Sequence, residues 1–303
     1  MNNLSLLTTL LNKPQTTVTV PVSIRTVNWL TENGMGPLLF QHLSLPKLQA
    51  ASLQSTVITE TYKQALNELL TRLEQLNIET TLLKGISIAH QLYPAAIHRP
   101  MRDMDILVKF KDLAAVHEVL INTGYAQRSR YNASFYQNMH HVMPYYHSGK
   151  NIWLEVHHGI IPPTESLASC ALFRPEMLDN YCEPSDFYGH PVKRFNIAFQ
   201  LIYTSVHWSE KLSEHGGFIA MLDTILLLQK MQARDWQNFE VYIKQLPDTA
   251  TVALMFSYLD KYEDVDIPEN VMHSLLQHQK PLNKITIYIL HKLIREYMID
   301  GNS

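Results

Sequence analysis

Two aspartates, Asp103 and Asp105, stand in the stretch RPMRDMDILVKF (99–110), which otherwise reads as a buried strand. Met104, Ile106 and Val108 alternate with Asp103, Asp105 and Leu107, and a period of two sends both carboxylates to one face. Carboxylates that close repel, and each is costly to take out of water unless a positive charge sits between them. A divalent cation satisfies both, and hard oxygen ligands of this kind suit Mg²⁺, or Mn²⁺ in its place. Taken alone, an Asp-x-Asp pair is as readily a solvated strand end, so its meaning depends on the elements around it.

Upstream, IETTLLKG (78–85) reads as a short β run ending at Gly85, and ISIAHQLY (86–93) as a short helix, so a strand, a tight turn and a helix follow one another. Downstream, KDLAAVHEVLINTGY (111–125) has helical periodicity and stops at Gly124. The stretch HHVMPYYHSGKNIWLEVHHGI (140–160) reads as two strands joined by a turn at Ser148-Gly149-Lys150, with Glu155 on the second. Three carboxylates and a glycine turn thus share one α/β core, expected over residues 77–161. Residues 1–76 read as a helical lead-in with a break at Asn33-Gly34. From 190 to 303 five helical stretches, the last of them NKITIYILHKLIREYM (283–298), predict a helical C-terminal domain. The fold class expected is α+β.

This set of groups is what nucleotidyl transfer asks for: metal to neutralise the transferred phosphoryl group, and backbone N–H groups to hold a triphosphate. In that reading Asp103 and Asp105 are catalytic metal ligands, and Glu155 completes the metal site or accepts a proton. Lys84, Gly85, Ser87 and Arg99 are the nucleotide-binding candidates. Lys84 equally flanks a strand end, and Ser87 is equally an ordinary residue of a helix's first turn. Arg99 either approaches the triphosphate or braces the aspartates through charge-assisted hydrogen bonds. His140, His141, His147, His157 and His158 crowd the same hairpin without the spacing of a zinc site. His157 shares the face of Glu155, and His158 points the other way. His207 and Asp223, on separate predicted helices, read as a buried hydrogen bond.

The same residues resemble a known family, the uncharacterised nucleotidyltransferases of the polymerase β-like superfamily. The motifs that carry the likeness are Leu82-Leu83-Lys84-Gly85, Tyr93 at a helix end, Arg99-Pro100-x-x-Asp103-x-Asp105-x-Leu107-Val108, Gly124-Tyr125 and Glu155-Val156-His157. The similarity extends over most of the chain. It implies a polymerase β-like mixed sheet with a helical lead-in and a helical C-terminal domain. It also implies Asp103 and Asp105 as metal ligands with a third acidic residue nearby, and an NTP such as ATP as substrate with Mg²⁺ as cofactor. The wider superfamily follows its glycine with Gly or Ser, whereas Ile86 stands here and Ser87 comes one position later.

Composition narrows the partners. Of 303 residues 17% are charged and 46% apolar, the balance of a globular protein, and the formal net charge of −3 provides no electrostatic footprint for general nucleic-acid binding. A small-molecule or protein acceptor fits better than RNA, whose binding rests on phosphate neutralisation. The opening MNNLSLLTTLLNKP reads as an amphipathic helix and not as a signal peptide, and no apolar run reads as a membrane span. Two cysteines, Cys170 and Cys182, suit a reducing cytoplasm. The expectation is a metal-dependent nucleotidyltransferase moving a nucleoside monophosphate from NTP to a hydroxyl, using two Mg²⁺ ions. The alternative is a nucleotide-sensing or interaction protein that keeps the fold without turnover.

Overall fold

The computed structural model describes residues 3–12, 22–43, 45–208, 217–263, 265–280, 288, 291–292 and 294. They fall into two units. One comprises Met1–Ser55, Leu92–Pro100 and Ile197–Ser303; the other comprises Thr56–Gln91 and Met101–Asn196.

The first unit opens with α1 (Asn3–Asn12), α2 (Ile24–Leu30) and α3 (Gly36–Phe40), followed by the start of the long α4 (Pro46–Gln75). Ser23 caps α2 by accepting the Thr26 N–H at 3.0 Å. A single wide turn, Thr31–Met35, joins α2 to α3, and the break expected at Asn33-Gly34 sits inside it. Gly34 has φ +83°, and a Cβ there would lie 2.6 Å from the Pro100 Cβ, so both conformation and space call for glycine.

The second unit holds a seven-stranded mixed sheet. In chain order it runs from the remainder of α4 to β1 (Thr81–Leu83), α5 (Lys84–Leu92) and β2 (Met104–Leu107). Next come α6 (Leu113–Asn122), β3 (Ala126–Gln127), the single turn α7 (Ala133–Tyr136), β4 (Tyr145–His147) and β5 (Ile152–His157). The hairpin of β6 (Cys182–Phe187) and β7 (His190–Phe195) closes the unit. β2 lies antiparallel to β1 and parallel to β5, and β7 runs parallel to β1. Leu66, Leu69, Leu70 and Leu73 of α4 bury themselves against Leu82, Met104, Ile106, Leu154 and Val156, which alternate along the three central strands. That leaves the opposite face of those strands for the intervening residues.

The expected turn at residues 148–150 joins β4 to β5, with Asn151 taking positive φ. The β6–β7 hairpin had no counterpart in the sequence reading. Its corner, Tyr188-Gly189, has φ of +50° and +90°, the two left-handed positions of a type I′ turn, but with Tyr in place of the usual Asn or Asp.

The chain then returns to the first unit as α8 (Ile197–Trp208), α9 (Phe218–Leu228), α10 (Ala233–Ile243), α11 (Ala250–Tyr262) and α12 (Glu269–His278). α8 packs on α9, α10 and α11, and α1 on α9; Phe239 and Phe256 stack with ring centroids 5.5 Å apart. α12 was not foreseen, and most of the helix expected over 283–298 lies outside the described residues. The mixed sheet, the helical lead-in and the helical C-terminal part are as expected. No described helix is long and apolar enough to cross a membrane.

His98 ends the short turn Ala96–His98 of the first unit, fully buried, and neither ring nitrogen has a hydrogen-bond partner among the described residues. Burial, with His42 adding to it, pushes its pKa down to about 4. Because the unfolded chain takes up this proton first, stability should fall as pH drops from about 6.5 towards about 4 and lose nothing more from this group below that. In urea unfolding, His98→Phe should lose less stability than the wild type between neutral pH and about pH 4.5, by on the order of 2 kcal/mol. Equal losses would contradict the assignment.

Candidate active site

The face of the sheet turned away from α4 gathers the acidic residues. Strand register explains how: Asp105 of β2 lies opposite Leu83 of β1 and opposite Glu155 of β5, and His157 follows two residues on, opposite Leu107. Met104 and Ile106 take the core side of the central strand, so Asp105 must take the other. Asp105 is only 2% exposed. One ligand atom from each of Asp105, Glu155 and His157 lies within 4.8 Å of the others.

Lys84 completes the cluster. Its Nζ donates to Asp105 Oδ1 at 2.7 Å and stands 3.8 Å from Glu155 Oε2. His157 Nε2–H donates to the same Asp105 oxygen at 2.9 Å, with Glu155 Oε2 at 3.4 Å. The His157 Nδ1 is buried and without a hydrogen-bond partner among the described residues. Burial pushes the Asp105 carboxyl up, but the Lys84 charge and the His157 hydrogen bond outweigh it and hold the group well below the usual carboxylate range. Burial likewise raises Glu155, and His157 and Lys84 bring its net shift downward against the repulsion of Asp105. Behind His157 stand the rings of His140 and His141, each 5.2 Å from it; His141 Nδ1–H donates to the Val142 carbonyl at 2.8 Å, and burial lowers its pKa.

The other candidates are placed differently. Asp103 precedes β2, half-buried, and is not one of the three converging donors; its charge adds to the burial that pushes the Tyr62 hydroxyl up to about 12. Gly85 and Ser87 lie in the first turn of α5. Ser87 is buried, its Oγ without a partner among the described residues, while its carbonyl accepts Arg194 Nη1–H at 2.8 Å. The side chain is therefore sealed in.

Arg99 has a partner far along the chain. Its Nε and Nη2 grip Asp223 Oδ1 and Oδ2 at 2.9 and 2.7 Å, and the Tyr93 hydroxyl donates to Oδ1 at 2.8 Å. All three belong to the first unit. Asp223 is thus a buried carboxylate that accepts hydrogen bonds from Arg99 and Tyr93. His157 is the residue whose role the spacing left open: two places after Glu155 it had to share that face, and its partner is Asp105.

A family described as uncharacterised nucleotidyltransferase matches residues 26–262. The chain belongs to that family. Among solved structures it is similar to the antibiotic-resistance factor ANT(2″)-Ia in solution, at 10% identity over 67% of this chain and 99% of that one, with a TM-score of 0.44. The crystal structure of ANT(2″)-Ia with adenylyl-2″-tobramycin gives 11% identity, coverage of 65% and 99%, and a TM-score of 0.43. An antigenic nucleotidyltransferase-like protein from Paracoccidioides brasiliensis gives 13%, coverage of 73% and 95%, and 0.43. No curated protein matches this sequence.

Proposed function

We propose that the protein transfers a nucleoside monophosphate from an NTP, with ATP the first to try, to a hydroxyl of a small-molecule or protein acceptor. The observation that carries this is the convergence of Asp105, Glu155 and His157 on adjacent central strands, in a chain of a nucleotidyltransferase family. The donor set passes the chemical test for a divalent cation: two carboxylates are held together around a positive charge that already stands between them. Asp105 and Glu155 would hold one Mg²⁺, or Mn²⁺ in its place. Asp103, just before the same strand, is the carboxylate left for a second. Bound metal neutralises the triphosphate and lowers the pKa of the acceptor hydroxyl.

The protein's own groups do the rest. His157 Nε2–H fixes the rotation of the Asp105 carboxylate. The backbone of the first turn of α5, Gly85 to Ser87, would orient the phosphates through its N–H groups. The acceptor oxygen attacks the α-phosphorus, the bond to the β-phosphate bridge breaks, and pyrophosphate leaves. Glu155, the more exposed of the two carboxylates, takes the hydroxyl proton. The chemistry and the cysteine usage suit a reducing cytoplasm.

A second reading is kept by one contact. Lys84 already neutralises Asp105, which a nucleotide sensor without turnover would also tolerate. Calorimetry of ATP in Mg²⁺ tests the site itself: the wild type should bind, and Glu155→Gln should weaken binding on the order of tenfold by removing a ligand charge. Undiminished binding by Glu155→Gln would remove it from the metal site.

A further inference from the structure

Lys84 stands where a metal ion would stand. Its Nζ is 2.7 Å from Asp105 Oδ1 and 3.8 Å from Glu155 Oε2, the carboxylates that converge with His157. A divalent ion bound to both carboxylates at about 2.1 Å could not share that space with an ammonium, since like charges at contact distance repel strongly. The backbone points the same way. Alternation along β1 would send Lys84 to the core side with Leu82, but the chain leaves the strand at Lys84 with φ +43°, a left-handed conformation that glycine adopts far more easily. Gly85 stands one position later, so the strained position keeps a long cationic side chain. The Lys84 side chain is 19% exposed and its four-carbon stem is flexible, whereas Asp105 is walled in at 3%. The lysine is the partner that can move.

We propose that Lys84 is the counter-ion of the metal-free site, and that a divalent cation entering between Asp105 and Glu155 displaces its ammonium towards the triphosphate. This rests on the metal site of the proposed function. It joins both readings of Lys84, as brace of the strand end and as phosphate ligand, into two states of one residue. It also implies that metal alone binds weakly, because it must evict a charge, and that metal with NTP binds better, because the phosphates receive that charge.

The test is Mn²⁺ binding followed by electron paramagnetic resonance on the full chain, for the wild type, Lys84→Gln and Asp105→Asn. Lys84→Gln should bind Mn²⁺ alone about tenfold more tightly than the wild type, because the competing charge is gone, while Mn²⁺·ATP binds less tightly. Equal or weaker Mn²⁺ affinity in Lys84→Gln, with Asp105→Asn silent, would overturn the displacement and leave the metal site standing. No Mn²⁺ bound by wild type or Lys84→Gln would overturn the metal site itself, and the displacement with it. Should Lys84→Gln fail to fold, the wild type decides: acetylation of Lys84, read by mass spectrometry, should speed up severalfold when Mn²⁺ is added. Unchanged or slower labelling would overturn the proposal.

Discussion

Asp105→Asn should cut nucleotidyl transfer by on the order of a thousandfold or more, with the folded protein retained. The residue sits on the central strand β2, between β1, which leads into Lys84, and β5, which carries Glu155, so every other group of the cluster is positioned against it. In-line phosphoryl transfer relies on positioning and electrostatic stabilisation, and this one substitution removes a formal charge from the place where metal and phosphates must be balanced. The amide keeps the shape and an oxygen that can still accept from His157. Pyrophosphate release, with near-ultraviolet circular dichroism as the control for folding, is the measurement. A folded Asp105→Asn protein within tenfold of wild type would show that the cluster is structural.

Asp223→Ala should have the largest effect on stability, on the order of 3–5 kcal/mol, because removing one partner strands a charge whose other half remains buried. Asp223 and Arg99 are 2% and 11% exposed at their side chains, and the carboxylate accepts from Arg99 Nε and Nη2 and from the Tyr93 hydroxyl. The pair joins α9 to the segment Leu92–Pro100 within the helical unit. Urea unfolding measures it. Arg99→Met should likewise destabilise, since it leaves the buried Asp223 without its guanidinium. Were Arg99 a nucleotide ligand instead, Arg99→Met would weaken ATP binding at nearly unchanged stability, and that pattern would reverse the assignment.

These two sites differ in how far the sequence reveals them. The cluster around Asp105 is built from short-range rules: alternation put Met104 and Ile106 in the core and Asp105 opposite, and the same rule tied His157 to Glu155. The elements with local punctuation, β1 into α5 at Lys84-Gly85, α6 ending before Gly124, and the β4–β5 turn, could be read for the same reason. The Arg99–Asp223 pair could not, because its partners lie 124 residues apart and no local pattern encodes a long-range contact. The β6–β7 hairpin escaped notice since its corner is Tyr188-Gly189 and its strand CEPSDF carries two acids and a proline, a poor strand pattern. Asp103 lies one residue before β2, where no ladder pairing fixes its side, so alternation alone does not place it.

Pyrophosphate release by the unaltered protein tests the central claim most directly. Incubated with α-labelled ATP, GTP, CTP or UTP, Mg²⁺ and a lysate of the source cell, it should release pyrophosphate and pass the label to an acceptor, and chelation of Mg²⁺ should stop both. Mg²⁺-dependent binding of NTP with no pyrophosphate from any of the four would contradict transfer and identify the protein as a nucleotide sensor.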